Sequence, residues 1–227
     1  MSVTATAAQA VEFDVSGVTL GMDAAAARKA IEAANPKYQM ADIKNPKTGK
    51  VIGTNGLIQG FSNTANEHFQ VIYDESGKVW FVGKSQTVAQ GKGFSKEQML
   101  ASLIEKYGKP SFHGEGWARW HFDRAGKLHL GEADSPCKVG GGDKALTPIS
   151  VVGHWVRYPA GFNPKCGRVI EASYSWDQKT GIVSHYGVRA FESAAVYDVL
   201  MRDQAAAQKK RDDALKQELG AGNKPGL

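Results

Sequence analysis

Two of the six histidines in the sequence have a spacing that would let them act together. His121 and His129 flank a short polar turn at Asp123–Gly126, which is typical of a β-hairpin. If the apolar residues of the two flanking strands pair with each other, the two imidazoles lie opposite one another and can share a cation. A metal site needs further ligands, and Glu132 or Asp134 would have to supply them. We therefore predict no metal and no other cofactor.

Acidic residues give a second candidate chemistry, the hydrolysis of a glycosidic bond. This reaction uses two carboxylates, one as the acid and the other as the base or nucleophile. Glu115 and Glu132 are the candidates, and a hydrolase acting on cell-wall material is the alternative interpretation of the chain. The sequence contains no nucleophile elbow, Walker loop, dinucleotide fingerprint or His-Glu-x-x-His motif. The main interpretation therefore assigns no catalytic residue.

Aromatic side chains are the stronger functional signal. Tryptophan and tyrosine combine a large apolar area with a polar tip, and they anchor many protein interfaces. Trp117 and Trp155 each follow a glycine-containing segment and enter an expected strand from it; with Tyr158 they are the predicted binding residues. Trp80, in the apolar run Val79–Val82, is instead predicted to be buried in a strand covered on both faces. The alternative is that all these aromatics fill the space between helices and sheet.

The two cysteines and the first ten residues bear on the cellular compartment. Cys137 and Cys166 lie in turn-rich segments that need an external restraint, so we predict a disulfide bond and an oxidising compartment. Ala8–Ala10 has the small-x-small pattern that a signal peptidase cleaves, although no apolar segment precedes it. Residues 1–10 are therefore either the remnant of a signal peptide or a disordered terminus. The predicted location is periplasmic or secreted.

Capping residues predict two helices that would position the candidate residues. Asp23 can cap a helix over residues 24–35, because its carboxylate accepts from the free amides of the first turn. Ser95 and Gln98 have the spacing of a capping box, in which each side chain bonds the other residue's backbone amide. Gly108 suits the C-terminal end of the second helix.

Three Asp-to-Gly turns, flanked by β-branched and aromatic residues, predict hairpins after each of the two helices. The order suggests an α+β fold of two degenerate repeats, each a helix packed on an antiparallel sheet, followed by a C-terminal helix that begins near Ser193. The predicted segments are 11–93 for the first repeat, 94–203 for the second repeat with an irregular disulfide-linked insertion, and 204–227 for an exposed helix and a disordered tail.

Charge and hydropathy exclude two classes of function. The 227 residues carry a net charge of +5, but the basic residues are scattered rather than concentrated on one face. Binding to nucleic acid usually needs such a concentration. No apolar run approaches the roughly 20 residues that span a bilayer. We therefore expect a soluble chain that binds no nucleic acid and has no membrane span.

Two short segments carry a resemblance to known proteins. Phe13–Met22, before an alanine-rich helix, and Leu103–Pro110, at the end of the second helix, are similar to exported proteobacterial proteins of unassigned function. That group resembles the tandem helix–sheet fold of β-lactamase inhibitor protein and of a small lipoprotein of the outer-membrane barrel-assembly machinery. The resemblance implies a fold and a compartment. The predicted function is a non-enzymatic, extracytoplasmic module that binds a protein or a cell-envelope component.

Overall fold

The strands of the chain associate into a large antiparallel sheet in its computed structural model. The structure describes residues 13–46, 48–59, 65–89, 91–137 and 163–220. Within these ranges the helices are α1 (Ala24–Ala34), α2 (Lys96–Tyr107) and α3 (Ser193–Gly220). The strands are β1 (Asp14–Val15), β2 (Val18–Thr19), β3 (Gln39–Lys44), β4 (Val51–Gln59), β5 (Ala65–Tyr73), β6 (Val79–Thr87), β7 (Phe112–Gly114), β8 (Trp117–Asp123), β9 (Leu128–His129), β10 (Cys166–Trp176) and β11 (Val183–Glu192).

The main sheet has the strand order β3–β4–β5–β6–β11–β10–β8–β7, with β9 paired to β8, and β1 and β2 form a separate short pair. The fold is therefore α+β with a C-terminal helix, as predicted. One expectation is not met, since the sequence predicts a separate sheet for each helix. Instead β6 pairs with β11, opposing Val82 to Ala190, and this pairing joins all the long strands into one sheet. The apolar run Val79–Val82 of β6 is buried, with Val79 and Val82 in one hydrophobic cluster and Trp80 and Phe81 in another.

The ends of α1 and α2 confirm the predicted caps. The Asp23 carboxylate accepts from Ala26 N at 2.8 Å. In α2, Gln98 N donates to the Ser95 hydroxyl at 3.2 Å, and Ser95 N donates to the Gln98 side chain at 2.8 Å, which completes the capping box. Each helix therefore begins where its sequence satisfies the free amides of the first turn.

Both helices are tied to the sheet in the same manner. Ala24 N donates to Gly77 O and Lys96 N donates to Gly181 O, both at 3.2 Å. Gly77 closes the Asp-to-Gly turn before β6, and Gly181 closes the one before β11. The two helix caps also form isolated β-bridges, Asp23 with Lys78 and Ser95 with Ile182. The turns have the predicted chemistry: their aspartates accept backbone amides, and the closing glycines have positive φ angles. These bonds place the start of α1 beside β6 and the start of α2 beside β11.

Different helices pack on the two faces of the sheet. On one side, called here the helix face, Ile31 of α1 and Leu103 of α2 pack in a common core with strand residues such as Val71, Trp120 and Ile170. The opposite side is called the distal face. Because strand residues alternate between faces, the neighbours of these core residues point to the distal face.

The first turns of α3 cover part of the distal face. Val196 and Leu200 pack against the cluster that contains Trp80, which is 8% exposed. The prediction that Trp80 is buried in a strand covered on both faces is therefore confirmed. From Met201 to Glu218 every residue of α3 is exposed, a length of about 27 Å at 1.5 Å per residue. Among the described residues, no helix has both the length and the apolar character needed to cross a membrane.

Candidate binding surface

The structure describes one of the three residues predicted to bind a partner. Trp117 is the first residue of β8, and its side chain is half-buried. It points to the distal face, because Ala118 and Trp120 on the same strand belong to the core of the helix face. Trp155 and Tyr158 lie outside the described residues, as does the predicted N-terminal segment 1–10.

The Trp117 ring is held by its neighbours on the distal face. Gly114 is its partner across the β7–β8 pair, and a Cβ atom at Gly114 would lie 2.6 Å from the indole ring. The indole therefore rests on backbone that only glycine leaves free. The ring of Phe112 meets it edge-on at 5.8 Å between centroids, and the Arg119 guanidinium lies 5.2 Å from its ring centroid. These contacts fix the orientation of the indole ring.

A pocket of about 310 Å³ opens beside Trp117 on the distal face. Side chains of β8, β10 and β11 line it, and they include Trp117, Arg119, Glu171, Ser173, His185 and Arg189. Space exists there because Ser173 faces Gly187 across the β10–β11 pair, and neither residue has a large side chain. The pocket thus has one aromatic wall and a charged floor.

Glu171 lies between two arginines, because the strand register puts Arg119 opposite it on β8 and Arg189 opposite it on β11. Arg189 Nε donates to Glu171 Oε2 at 2.5 Å, and Arg189 Nη2 contacts the same oxygen. Arg119 Nε lies 3.4 Å from Glu171 Oε1. Burial lowers the pKa of His185, so this neighbour is neutral at pH 7. Among the described residues of this cluster, two guanidinium groups thus face one carboxylate.

His121 and His129 are opposite each other, as the hairpin register predicted. Their rings nevertheless turn to different partners: His121 Nδ1 lies 2.5 Å from the Ser135 hydroxyl, and His129 Nε2 lies 2.9 Å from Asp123 Oδ2. No group of three His, Cys, Asp or Glu side chains in the described ranges has the arrangement of a metal site. The histidines therefore do not converge on a common ligand.

The contact between His121 and Ser135 stabilises the structure near the disulfide. Both residues are buried, and the Ser135 hydroxyl also accepts from Cys137 N at 3.2 Å. Burial lowers the pKa of His121 to about 4, so the imidazole is neutral at pH 7. The pair is therefore part of the packed interior. Its effect is to attach the segment around Cys137 to β8.

The two carboxylates of the alternative interpretation lie at opposite ends of β7. Glu115 follows the last residue of that strand, its side chain is 73% exposed, and it pairs with Lys96 at 3.3 Å. Glu132 follows Gly131, whose N–H donates at 2.8 Å to the carbonyl of Ser111, the residue before the strand. The strand β7 therefore lies between the two residues.

The predicted disulfide between Cys137 and Cys166 is confirmed, with 4.6 Å between the two Cα atoms. Cys166 is the buried first residue of β10, opposite Asp123 at the end of β8. The bond therefore fixes the entry of β10 next to β8, the two strands that carry Glu171 and Arg119.

Arg119, Glu171 and Arg189, which line the pocket, were not identified from the sequence. Each is a single charged residue between apolar neighbours on a long strand: Arg119 in β8, Glu171 in β10 and Arg189 in β11. Alternation alone would have put each of them on the face opposite the core. Their meeting at one point depends on the order and register of three strands, which alternation does not define.

Comparisons with protein-family models, with curated proteins and with solved structures found no match to this chain.

Proposed function

We propose that this chain is a non-enzymatic binding module that works in the periplasm or after secretion, and that its distal face binds a protein of the cell envelope or of the surroundings. The observation that supports this most strongly is Trp117, a half-buried tryptophan oriented by its neighbours at the wall of a 310 Å³ pocket. Residues that dominate binding energy are enriched in tryptophan, tyrosine and arginine, and this pocket combines tryptophan with two arginines.

The proposed compartment is supported by the disulfide between Cys137 and Cys166, since such bonds persist mainly in oxidising environments. The proposed likeness to β-lactamase inhibitor protein is supported by the architecture. The strand order β3–β4–β5–β6 is mirrored by β7–β8–β10–β11 about the β6–β11 pair, and a capped helix precedes each set. We infer that residues 11–93 and 94–203 are degenerate copies of one helix–sheet unit, because both helices also bond to the sheet in the same manner.

The central test of this function is the replacement Trp117→Ala. We expect the dissociation constant for a partner isolated from an envelope extract to rise roughly thirtyfold, which corresponds to about 2 kcal/mol for a residue that dominates an interface. The free energy of unfolding should fall by only about 1 kcal/mol, because the side chain is half-buried. Surface plasmon resonance gives the first quantity and urea denaturation the second.

Trp176→Ala is the matched control. Trp176 is also half-buried, but it packs against the core of the helix face. We expect this variant to lose a similar amount of stability and to bind the partner as the unchanged chain does. Equal loss of binding in both variants would show that the distal face is not the interface, and undiminished binding by Trp117→Ala would refute the role of Trp117.

A further inference from the structure

Arg119 has hydrogen-bonding capacity that its surroundings do not use. A guanidinium group has five N–H donors in a planar arrangement. Within the described ranges, the polar contact of the Arg119 side chain is the ion pair to Glu171, at 3.4 Å from Nε, and neither of its Nη atoms donates a hydrogen bond. The side chain is 44% exposed. The remaining N–H groups are thus available to an acceptor that enters the pocket.

Glu171 does not neutralise Arg119 fully, because a second arginine competes for it. Arg189 contacts Glu171 Oε2 with both Nε and Nη2, and the Arg189 side chain is only 21% exposed. The carboxylate of Glu171 is therefore bound closely from one side and more loosely from the other. Arg119 is therefore the more exposed and the less closely paired of the two arginines.

Aromatic rings fix the position of this guanidinium. Its centre lies 5.2 Å from the ring centroid of Trp117 and 5.9 Å from that of Phe112. Stacking on aromatic rings restricts the long side chain of an arginine, so less entropy is lost when it binds a carboxylate. Arg119 is consequently preorganised at the edge of the pocket.

The dimensions of the pocket limit what can enter it. Pockets that enclose a drug-sized molecule have volumes of roughly 300–1,000 Å³. At about 310 Å³, this pocket is at the lower end of that range and suits a side chain from a protein surface better than a cofactor. A planar carboxylate matches an arginine in bidentate geometry, and it is the anionic group that an unmodified protein surface presents.

We propose that Arg119 is the anchor for an aspartate or glutamate side chain of the protein partner, which enters the pocket beside Trp117. This inference rests on the proposed function, because it assumes that the distal face is the interface. The partner's carboxylate accepts hydrogen bonds from the Nη atoms of Arg119, while Glu171 and Arg189 keep their own ion pair. The recognised partner therefore has an exposed acidic residue on a protruding loop or helix.

The test is a nuclear magnetic resonance titration of the full chain with two probes, N-acetylglutamate amide and its neutral counterpart N-acetylglutamine amide. We expect the acidic probe to shift the resonances of the Arg119 Nε–H and the Trp117 indole N–H in a saturable manner, and the neutral probe to leave both in place. In the variant Arg119→Gln, the dissociation constant of the acidic probe should rise by about tenfold or more, as expected when a charge-assisted hydrogen bond is lost.

Arg168→Gln is the matched control. The Arg168 side chain is 49% exposed, pairs with Glu192 at 2.6 Å and lies 4.9 Å from the ring centroid of Phe13. Arg168→Gln therefore removes one positive charge from surroundings like those of Arg119. Arg168 belongs to β10 but alternates with Glu171, so it is not on the distal face. This variant should bind the acidic probe as the unchanged chain does.

The inference is overturned if neither probe shifts these resonances, if both probes shift them equally, or if Arg119→Gln binds the acidic probe as tightly as the unchanged chain. Its failure is distinguishable from failure of the proposed function. Suppose that a partner binds more weakly to Trp117→Ala but binds Arg119→Gln as it binds the unchanged chain, with the same dependence on salt. The proposed function would then hold, and the role of Arg119 as an anchor for an acidic side chain would be refuted.

Discussion

Replacing Trp80 with alanine is expected to lower the free energy of unfolding by about 3–5 kcal/mol, the usual cost of emptying a large buried site. Trp80 is 8% exposed and lies on β6, in the middle of the sheet order. It packs edge-on against Phe81 at 5.8 Å between centroids, within the cluster that holds Val196 and Leu200 of α3. Its loss would leave a cavity between the sheet and α3.

Urea denaturation followed by circular dichroism measures this loss, with Trp117→Ala as the comparison. Because Trp117 is half-buried and Trp80 is buried, the Trp80 variant should be destabilised several times more. Amide hydrogen exchange should also show faster exchange in the first turns of α3, which pack beside Trp80. If both substitutions destabilised the fold equally, both tryptophans would be core residues, and Trp117 would not mark a binding surface.

Removal of the disulfide is expected to have an effect of similar size. The bond joins residues 29 positions apart, and closing a loop of this length stabilises the folded state by about 3–4 kcal/mol in the chain-entropy model. The double variant Cys137→Ser/Cys166→Ser should lose about that much free energy of unfolding. The unchanged chain should lose the same amount when a reductant is added, and the double variant should not respond to it.

Thiol labelling provides the control for this prediction. In the unfolded and non-reduced chain, neither Cys137 nor Cys166 should react with a maleimide, whereas both should react after reduction. Two labelled cysteines before reduction would show that the bond does not form in solution, and a double variant as stable as the unchanged chain would show that the bond does not restrain the fold.

Local features of the fold followed from the sequence because their causes are local. Asp23, Ser95 and Gln98 satisfy amides within their own first turn, so the starts of α1 and α2 could be read from adjacent residues. The Asp-to-Gly turns are likewise closed by bonds within a few residues. Such elements do not depend on what packs against them.

The strand β4 was not predicted from the sequence, because its composition depends on tertiary contacts. β4 contains Gly53 and Gly56, which lower its strand propensity. A Cβ atom at Gly53 would lie 2.3 Å from the Val71 carbonyl, and one at Gly56 would lie 3.1 Å from the ring of Tyr38. Close packing therefore requires these glycines, and only knowledge of the neighbouring elements could have shown it. The pairing of β6 with β11 is equally non-local, so the single continuous sheet was not predicted.

The residues of the candidate site likewise include one that local signals predicted and others that only tertiary structure brings together. Trp117 could be selected from its residue type and its glycine-containing approach, which are local signals. Arg119, Glu171 and Arg189 come from three strands that are far apart in the sequence, and only the register of β8, β10 and β11 brings them together. A sequence pattern identifies one residue of such a site more easily than the arrangement of all of them.

Site-specific photo-crosslinking tests the central claim, that the distal face is the binding surface, most directly. A photoreactive residue is placed at Ser175, an exposed position on the distal face opposite His185 at the edge of the pocket, and in a second variant at Lys29, an exposed position on α1. Each variant is irradiated in an envelope extract, and the products are identified by mass spectrometry. We expect one dominant product from Ser175, strongly reduced by Trp117→Ala, and none of the same mass from Lys29. The same product from both positions, or from Lys29 alone, would contradict this claim.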